Sequence, residues 1–211
     1  MLSLSDVSLR WQREGYLLQN FSLAVQSGEI AVLQGPSGCG KSTLLSVIAG
    51  TNAPSLTVSG EVMLNGKSIL GLPAEQRHIA ILFQEALLFP HLTIADNLGF
   101  GLPAGLSRKA RHDAINDALQ KADMAQFADA DPATLSGGQK ARIAMMRAML
   151  SSPEALLMDE SFASLDPHLR QQFGRFVSEE VRSRAIPALL ISHHEDDKEF
   201  ATGPVIHWPT S

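Results

Sequence analysis

Nine consecutive residues, Gly35-Pro36-Ser37-Gly38-Cys39-Gly40-Lys41-Ser42-Thr43, carry the most specific chemistry in the sequence. Glycines at this spacing let backbone N–H groups turn inward around an anion. Lys41 offers a point charge to the β and γ phosphates of a nucleotide, and the Ser42 hydroxyl suits Mg²⁺, which prefers oxygen ligands. The pattern is that of a P-loop; the plain alternative is a glycine-rich turn with a chance lysine. A second group is Asp159-Glu160, at the end of the apolar run 155–158. Neighbours on a strand point to opposite sides, so two acids at its exit can take different roles. Asp159 suits the Mg²⁺ shell, and Glu160 suits polarising a water for attack on the γ-phosphate. A third group is Leu135-Ser136-Gly137-Gly138-Gln139. Ser136 is a credible N-cap, and Gly137 and Gly138 would let an anion approach the exposed N–H groups closely. One chain thus offers phosphate two helix N-termini, or one such terminus and one ordinary capped helix.

The elements that must position these groups are legible as patterns. Leu2, Leu4, Val7 and Leu9, then Phe21, Leu23 and Val25, repeat with period two and predict half-buried antiparallel strands. Residues 30–33 form a continuous apolar run, as a strand buried on both faces should, and the P-loop segment follows it and opens a helix ending at Gly50. Residues 61–64 predict a strand, with Asn65-Gly66 as a tight turn. A helical pattern starts at Ser107, with Ala110, Ala114, Ala118, Leu119 and Ala122 on one side, and Ser136 begins a helix reaching about Leu150. Residues about 86–150 read as a helical insertion in an α/β core. Strand character returns at 155–158. Asp166-Pro167 is an N-cap with proline at the first helical position, ahead of an apolar face of Leu169, Phe173, Phe176, Val177 and Val181. Residues 187–192 are the next buried strand.

Composition narrows the class. The chain has 211 residues, 45% of them hydrophobic, enough to bury a core and too apolar for disorder. Its apolar runs are far short of the ~20 residues a spanning helix needs. The start, Met1-Leu-Ser-Leu-Ser-Asp6, lacks a basic region and is not expected to be a secretory signal. Cys39 is the one cysteine, which excludes an intrachain disulfide and fits a reducing compartment. A net charge of −5 argues against a nucleic-acid or lipid surface, so any membrane attachment is expected through a partner protein.

In order and spacing, the P-loop, Leu-Ser-Gly-Gly-Gln and Asp159-Glu160 resemble the ATP-binding subunit of an ABC transporter, over nearly the whole chain. The resemblance implies a P-loop NTPase fold of ABC ATPase type: α/β, a mixed sheet core with an antiparallel β subdomain and an inserted helical subdomain, in a single domain over 1–211. It implies an ATPase that uses ATP and Mg²⁺. It gives Gln84 the role of the Q-loop glutamine, which senses Mg²⁺ and the attacking water. Asp166, in Ala163-Ser164-Leu165-Asp166, resembles the D-loop aspartate. His193 resembles the switch histidine that contacts the γ-phosphate. Trp11 resembles the aromatic that stacks on adenine, with Tyr16 the second candidate. The partners implied are a second copy packed head to tail, so that one P-loop faces the other chain's signature, together with transmembrane permease subunits and an extracytoplasmic solute-binding protein; no nucleic acid is expected. The place implied is the cytoplasmic face of a bacterial inner membrane, peripherally. Residues 83–98 resemble ATPases of small-solute importers, where this surface receives a helix of the membrane subunit; Phe83, Leu87, Leu88 and Phe89 read equally as core. Two other classes stay open: a soluble ABC-type ATPase outside transport, and a non-hydrolysing regulatory nucleotide binder.

The sequence departs from the family at four places. Ser161 stands where proline usually follows the glutamate, Ala163-Ser164 replaces the commoner Ser-Ala, and His194 replaces an aspartate. The sequence also ends soon after Trp208, where the family continues, which puts the sheet edge in question. Other tempting residues have plainer readings. His193-His194-Glu195-Asp196-Asp197 looks like a metal cluster, but strand neighbours face opposite ways, so the two histidines are not expected to chelate one ion. Met145, Met146 and Met149 read as packing, and Arg142 and Arg147 as solvated or salt-bridged. At Cys39 the backbone is what matters.

Overall fold

The N-terminal alternation becomes β1 (Leu2–Trp11) and β2 (Gly15–Val25), an antiparallel pair. The computed structural model describes residues 1–12 and 15–209. Leu2, Leu4, Val7 and Leu9 are buried with Phe21, Leu23 and Val25. The step from Leu4 to Val7 skips a residue because Asp6 takes a left-handed φ of 49° and the register shifts there. The other edge of β1 pairs with β4 (Leu56–Leu64), which starts earlier than the 61–64 read from its apolar residues. Gly60 permits the bulge: a Cβ there would lie 2.5 Å from the Asp6 carbonyl oxygen. Asn65 and Gly66, both at positive φ, turn β4 into the short β5 (Lys67–Ser68). The order of this sheet is β2-β1-β4-β5.

The second sheet runs β6 (Ile79–Leu82), β7 (Ala155–Asp159), β8 (Ala188–Ser192), β3 (Ile30–Gln34), β9 (Val205–His207), and the β7–β8, β8–β3 and β3–β9 pairs are parallel. Every residue of β3 and β8 is buried, as continuous apolar runs in a parallel sheet require. The questioned edge is filled by β9, and Trp208 just beyond it is buried, its ring stacked 6.5 Å from Phe21 and its N–H bonded to the Gln34 carbonyl at 2.6 Å. The fold is α/β with one antiparallel and one mainly parallel sheet, as the resemblance implies.

Contacts divide the chain into two units. The first holds residues 1–81, 154–160 and those from 178 on, hence the antiparallel sheet, all of the second sheet except Leu82 at the end of β6, and α1 (Lys41–Ala49). The second holds residues 82–153 and 161–177: α2 (Ile94–Gly99), α3 (Arg108–Lys121), α4 (Gly137–Leu150) and the first part of α5 (Pro167–Arg184). Ser107 caps α3, its hydroxyl accepting from the Ala110 N–H. The apolar stripe expected along α3 holds only over its end: Ala118, Leu119 and Ala122 are buried, Ala114 is half-buried and Ala110 is exposed. Met145, Met146 and Met149 are buried on α4. Asp166 caps α5 by accepting from the N–H groups of His168 and Leu169, both at 3.0 Å. Among the described residues, no helix is long and apolar enough to cross a membrane.

Candidate active site

In the first unit, β3 runs into the glycine-rich loop and the loop into α1. Gly40, the residue before the helix, sits at φ 112°, a conformation that suits only glycine, and a Cβ there would also meet the Leu17 side chain at 2.7 Å. No side chain caps α1, so its first N–H groups face the loop without a side-chain acceptor. Lys41 is buried, and its Nζ lies 2.8 Å from the Gly35 carbonyl oxygen, 2.7 Å from that of Pro36 and 3.9 Å from the Cys39 Sγ. The ammonium is thus held over the mouth of the loop, on acceptors that a stronger anion can replace.

At the next residue, the Ser42 hydroxyl donates to Asp159 Oδ1 at 3.0 Å. Burial pushes the Asp159 carboxyl above the usual carboxylate range and neighbouring Glu160 adds to the rise, while the Ser42 bond and the Lys41 charge pull it back. A hydroxyl and a carboxylate in contact make an all-oxygen donor pair of the kind that holds Mg²⁺ together with phosphate oxygens and water. Glu160, just past the end of β7, has a left-handed φ of 49°, and its N–H donates to the Ile191 carbonyl at 3.0 Å. That twist turns its side chain from the strand line towards the end of β8, where Glu160 Oε1 lies 3.1 Å from His193 Nδ1. A strained backbone that aims a carboxylate at an imidazole is the sort of local cost that active sites retain.

The two histidines depart from expectation. Strand alternation predicted rings on opposite sides, but β8 ends at Ser192, and in the bend beyond it the His193 and His194 rings lie side by side, tilted by 36° with centroids 4.1 Å apart. Trp11 closes β1, half-buried against the same core as Leu17 and Cys39. Tyr16 is 57% exposed, with the Arg10 guanidinium 5.5 Å from its ring centre.

The remaining sequence candidates lie in the second unit. Ser136 caps α4 within a reciprocal box: its hydroxyl accepts from the Gln139 N–H at 3.3 Å, and Gln139 Oε1 accepts from the Ser136 N–H at 2.9 Å. Gly138 has no room for a side chain without displacing Leu169, 3.2 Å from an added Cβ. Gln84 and Gly137 line one cavity of about 720 Å³ with Phe83, Lys140 and Ser161. The Ser161 hydroxyl, at the position where the resemblance leads one to expect proline, is buried and finds no hydrogen-bond partner among the described residues. Asp166 is engaged by its capping bonds to α5.

Arg77, Arg147 and Gln34, which sequence reasoning passed over or left on the surface, make long-range contacts. Arg77 is buried and donates to the carbonyls of Val47, Ile48, Leu70 and Leu72. Arg147 donates to the carbonyls of Ala86 and Leu87, while Arg142 does form an ion pair, 3.1 Å from Asp123. Gln34 is a buried amide at the end of an aliphatic strand. For Gln34 a polar residue at the end of an apolar run was the available signal, whereas Arg77 stands among the polar Glu75, Gln76 and His78.

Residues 18–163 match the model of a family described as ABC transporter. The chain is 48% identical over 197 residues to the uncharacterized ABC transporter ATP-binding protein YnjD of Escherichia coli K12, covering 93% of this chain and 90% of that protein. It is 40% identical to the thiamine import ATP-binding protein ThiQ of Vibrio cholerae, covering 93% and 81%. Among solved structures it resembles the dimeric post-hydrolysis state of the ATP-binding cassette MJ0796 with ADP and phosphate, with a TM-score of 0.80 and 26% identity over 99% of this chain and 94% of that one. A glycine-rich loop leading into a helix without a side-chain cap, and an acid pair at the end of β7 on the far side of β8, accompany these likenesses, and the chain belongs to the ABC transporter family, as an ATP-hydrolysing subunit.

Proposed function

We propose that this subunit powers uptake of a small solute, working as a head-to-tail dimer held peripherally to the cytoplasmic face of a bacterial inner membrane by permease subunits, with an extracytoplasmic solute-binding protein delivering cargo to the permease. The likeness to a thiamine importer's ATPase supports import, and the likeness to a dimeric cassette supports the dimer. In this reading Lys41 and the N–H groups of residues 35–43 hold the phosphates, and Trp11 stacks on adenine. Ser42, Asp159 and Gln84 provide the oxygens for Mg²⁺, which when bound neutralises phosphate charge and fixes the γ-phosphate for in-line attack. Ser136, Gly137, Gly138, Gln139 and Asp166 complete the site on the partner copy, which gives two equivalent composite sites.

The observation that carries the reading of hydrolysis is the 3.1 Å contact between Glu160 and His193. Glu160 accepts the proton of the attacking water. His193 holds the glutamate in place through Nδ1 and offers its other ring nitrogen to the γ-phosphate. Glu160→Gln keeps the size and the hydrogen bond but loses the basic oxygen. Hydrolysis should fall by about 10²-fold or more, the usual contribution of a general base. ATP binding should persist, so size-exclusion chromatography with ATP should show a stable dimer of the variant. An unchanged rate would remove Glu160 as the base.

A further inference from the structure

Gln34 ends β3 immediately before the phosphate loop and is 6% exposed. The rest of β3 is aliphatic, and a leucine would fill the same space without the cost of burying an amide. What the amide adds is two bonds: Nε2 donates to the His194 carbonyl at 3.0 Å and reaches the Glu195 carbonyl at 3.4 Å. Opposite Gln34 in the sheet register is Ser192, the last residue of β8. The Ser192 hydroxyl donates to Asp197 Oδ2 at 2.6 Å and accepts from the His194 N–H at 2.9 Å. Ser192 and Asp197 are both buried. The main chain is therefore fixed on both sides of His193, by Ser192 before it and by Gln34 after it.

We infer that Gln34 is a positioning residue for hydrolysis: its amide holds the turn after β8 so that His193 stays within reach of Glu160, and it ties that turn to the strand that carries the phosphate loop. The inference rests on the roles proposed above for Glu160 and His193. Gln34 is bonded through the main chain to Gly35, so a shift of the loop around its phosphate is passed through one side chain to the turn that bears the histidine. Removing the amide leaves two carbonyls with weaker partners and frees the turn, while the loop, Lys41 and Trp11 keep their own contacts.

The test uses the full chain and compares Gln34→Leu, His193→Ala and the double variant by ATP turnover with Mg²⁺, together with thermal unfolding and amide hydrogen exchange over residues 193–197. Gln34→Leu should fold, exchange faster over that turn, and lose about tenfold in kcat, the worth of a buried hydrogen bond expressed at the transition state. KM for ATP should move by less than about twofold, since ground-state binding is untouched. The double variant should be no slower than His193→Ala alone, because the amide acts through that ring. A full kcat in Gln34→Leu, or a loss that multiplies onto that of His193→Ala, overturns the inference. If His193→Ala itself hydrolyses normally, the reading of His193 fails instead. In that case the exchange data still decide whether Gln34 holds the turn, and unchanged exchange shows that it does not.

Discussion

At the start of α1 the cap position holds Gly40 at φ 112°, and no side chain accepts from the helix; at the start of α4 it holds Ser136, locked to Gln139 by bonds in both directions. Both segments are rich in glycine, and both looked like anion sites in the sequence. Their finish differs because their demands differ. The first terminus leaves backbone donors for a ligand and adds a buried ammonium beside them, a combination that suits an anion. The second satisfies its own cap, so it is stable with nothing bound and presents a finished surface. A terminus of the second kind suits a site assembled late, when an ATP already held by one copy meets another copy.

The sharpest way to break this contrast is Lys41→Ala. Losing a charge-assisted phosphate contact should weaken ATP binding by about a hundredfold, measured by equilibrium fluorescence or filter binding. An unchanged affinity would mean that the open terminus is not the nucleotide site. Ser136→Arg probes the other end: monomer affinity for ATP should stay within about twofold while steady-state hydrolysis drops by a factor of about a hundred, as bulk enters a surface meant to meet the partner copy's nucleotide. Retention of full turnover would sink the composite site. The smallest effect sharpens the contrast further. Ser136→Ala should cost about 1 kcal/mol of stability in a denaturant melt, since it removes a cap that works without ligand. ATP affinity should not follow. A loss of affinity in parallel with stability would make the two termini one cooperative site within a single chain.

Sequence patterns revealed the parts of the site whose signature lies in residue types at short spacing. The glycine loop, the strand ending in two acids, the Ser136 cap and the Asp166-Pro167 start of α5 were all readable because their partners are only a few residues away. The reciprocal box of Ser136 and Gln139 was written in the same spacing and went unread beside the anion motif. The contact between the two histidine rings was missed for a physical reason: alternation applies only while the strand continues, and β8 stops at Ser192. The partners of Gln34, Arg77 and Arg147 were opaque because they are backbone carbonyls, which every residue carries and which leave no mark on the sequence. The early start of β4 was hidden because residues 57–59 are polar or half-exposed and pair through their main chain.

Arg77 has a consequence for the thermodynamics of nucleotide capture. α1 has nine residues, too short to persist alone. Its far end is fastened by a guanidinium that donates to the carbonyls of Val47 and Ile48, where a cationic side chain meets the negative end of the helix dipole. The helix is therefore preorganised from the end that the ligand never touches. Little of the phosphate's binding energy is diverted into ordering it, and more is left to drive whatever the loop must move.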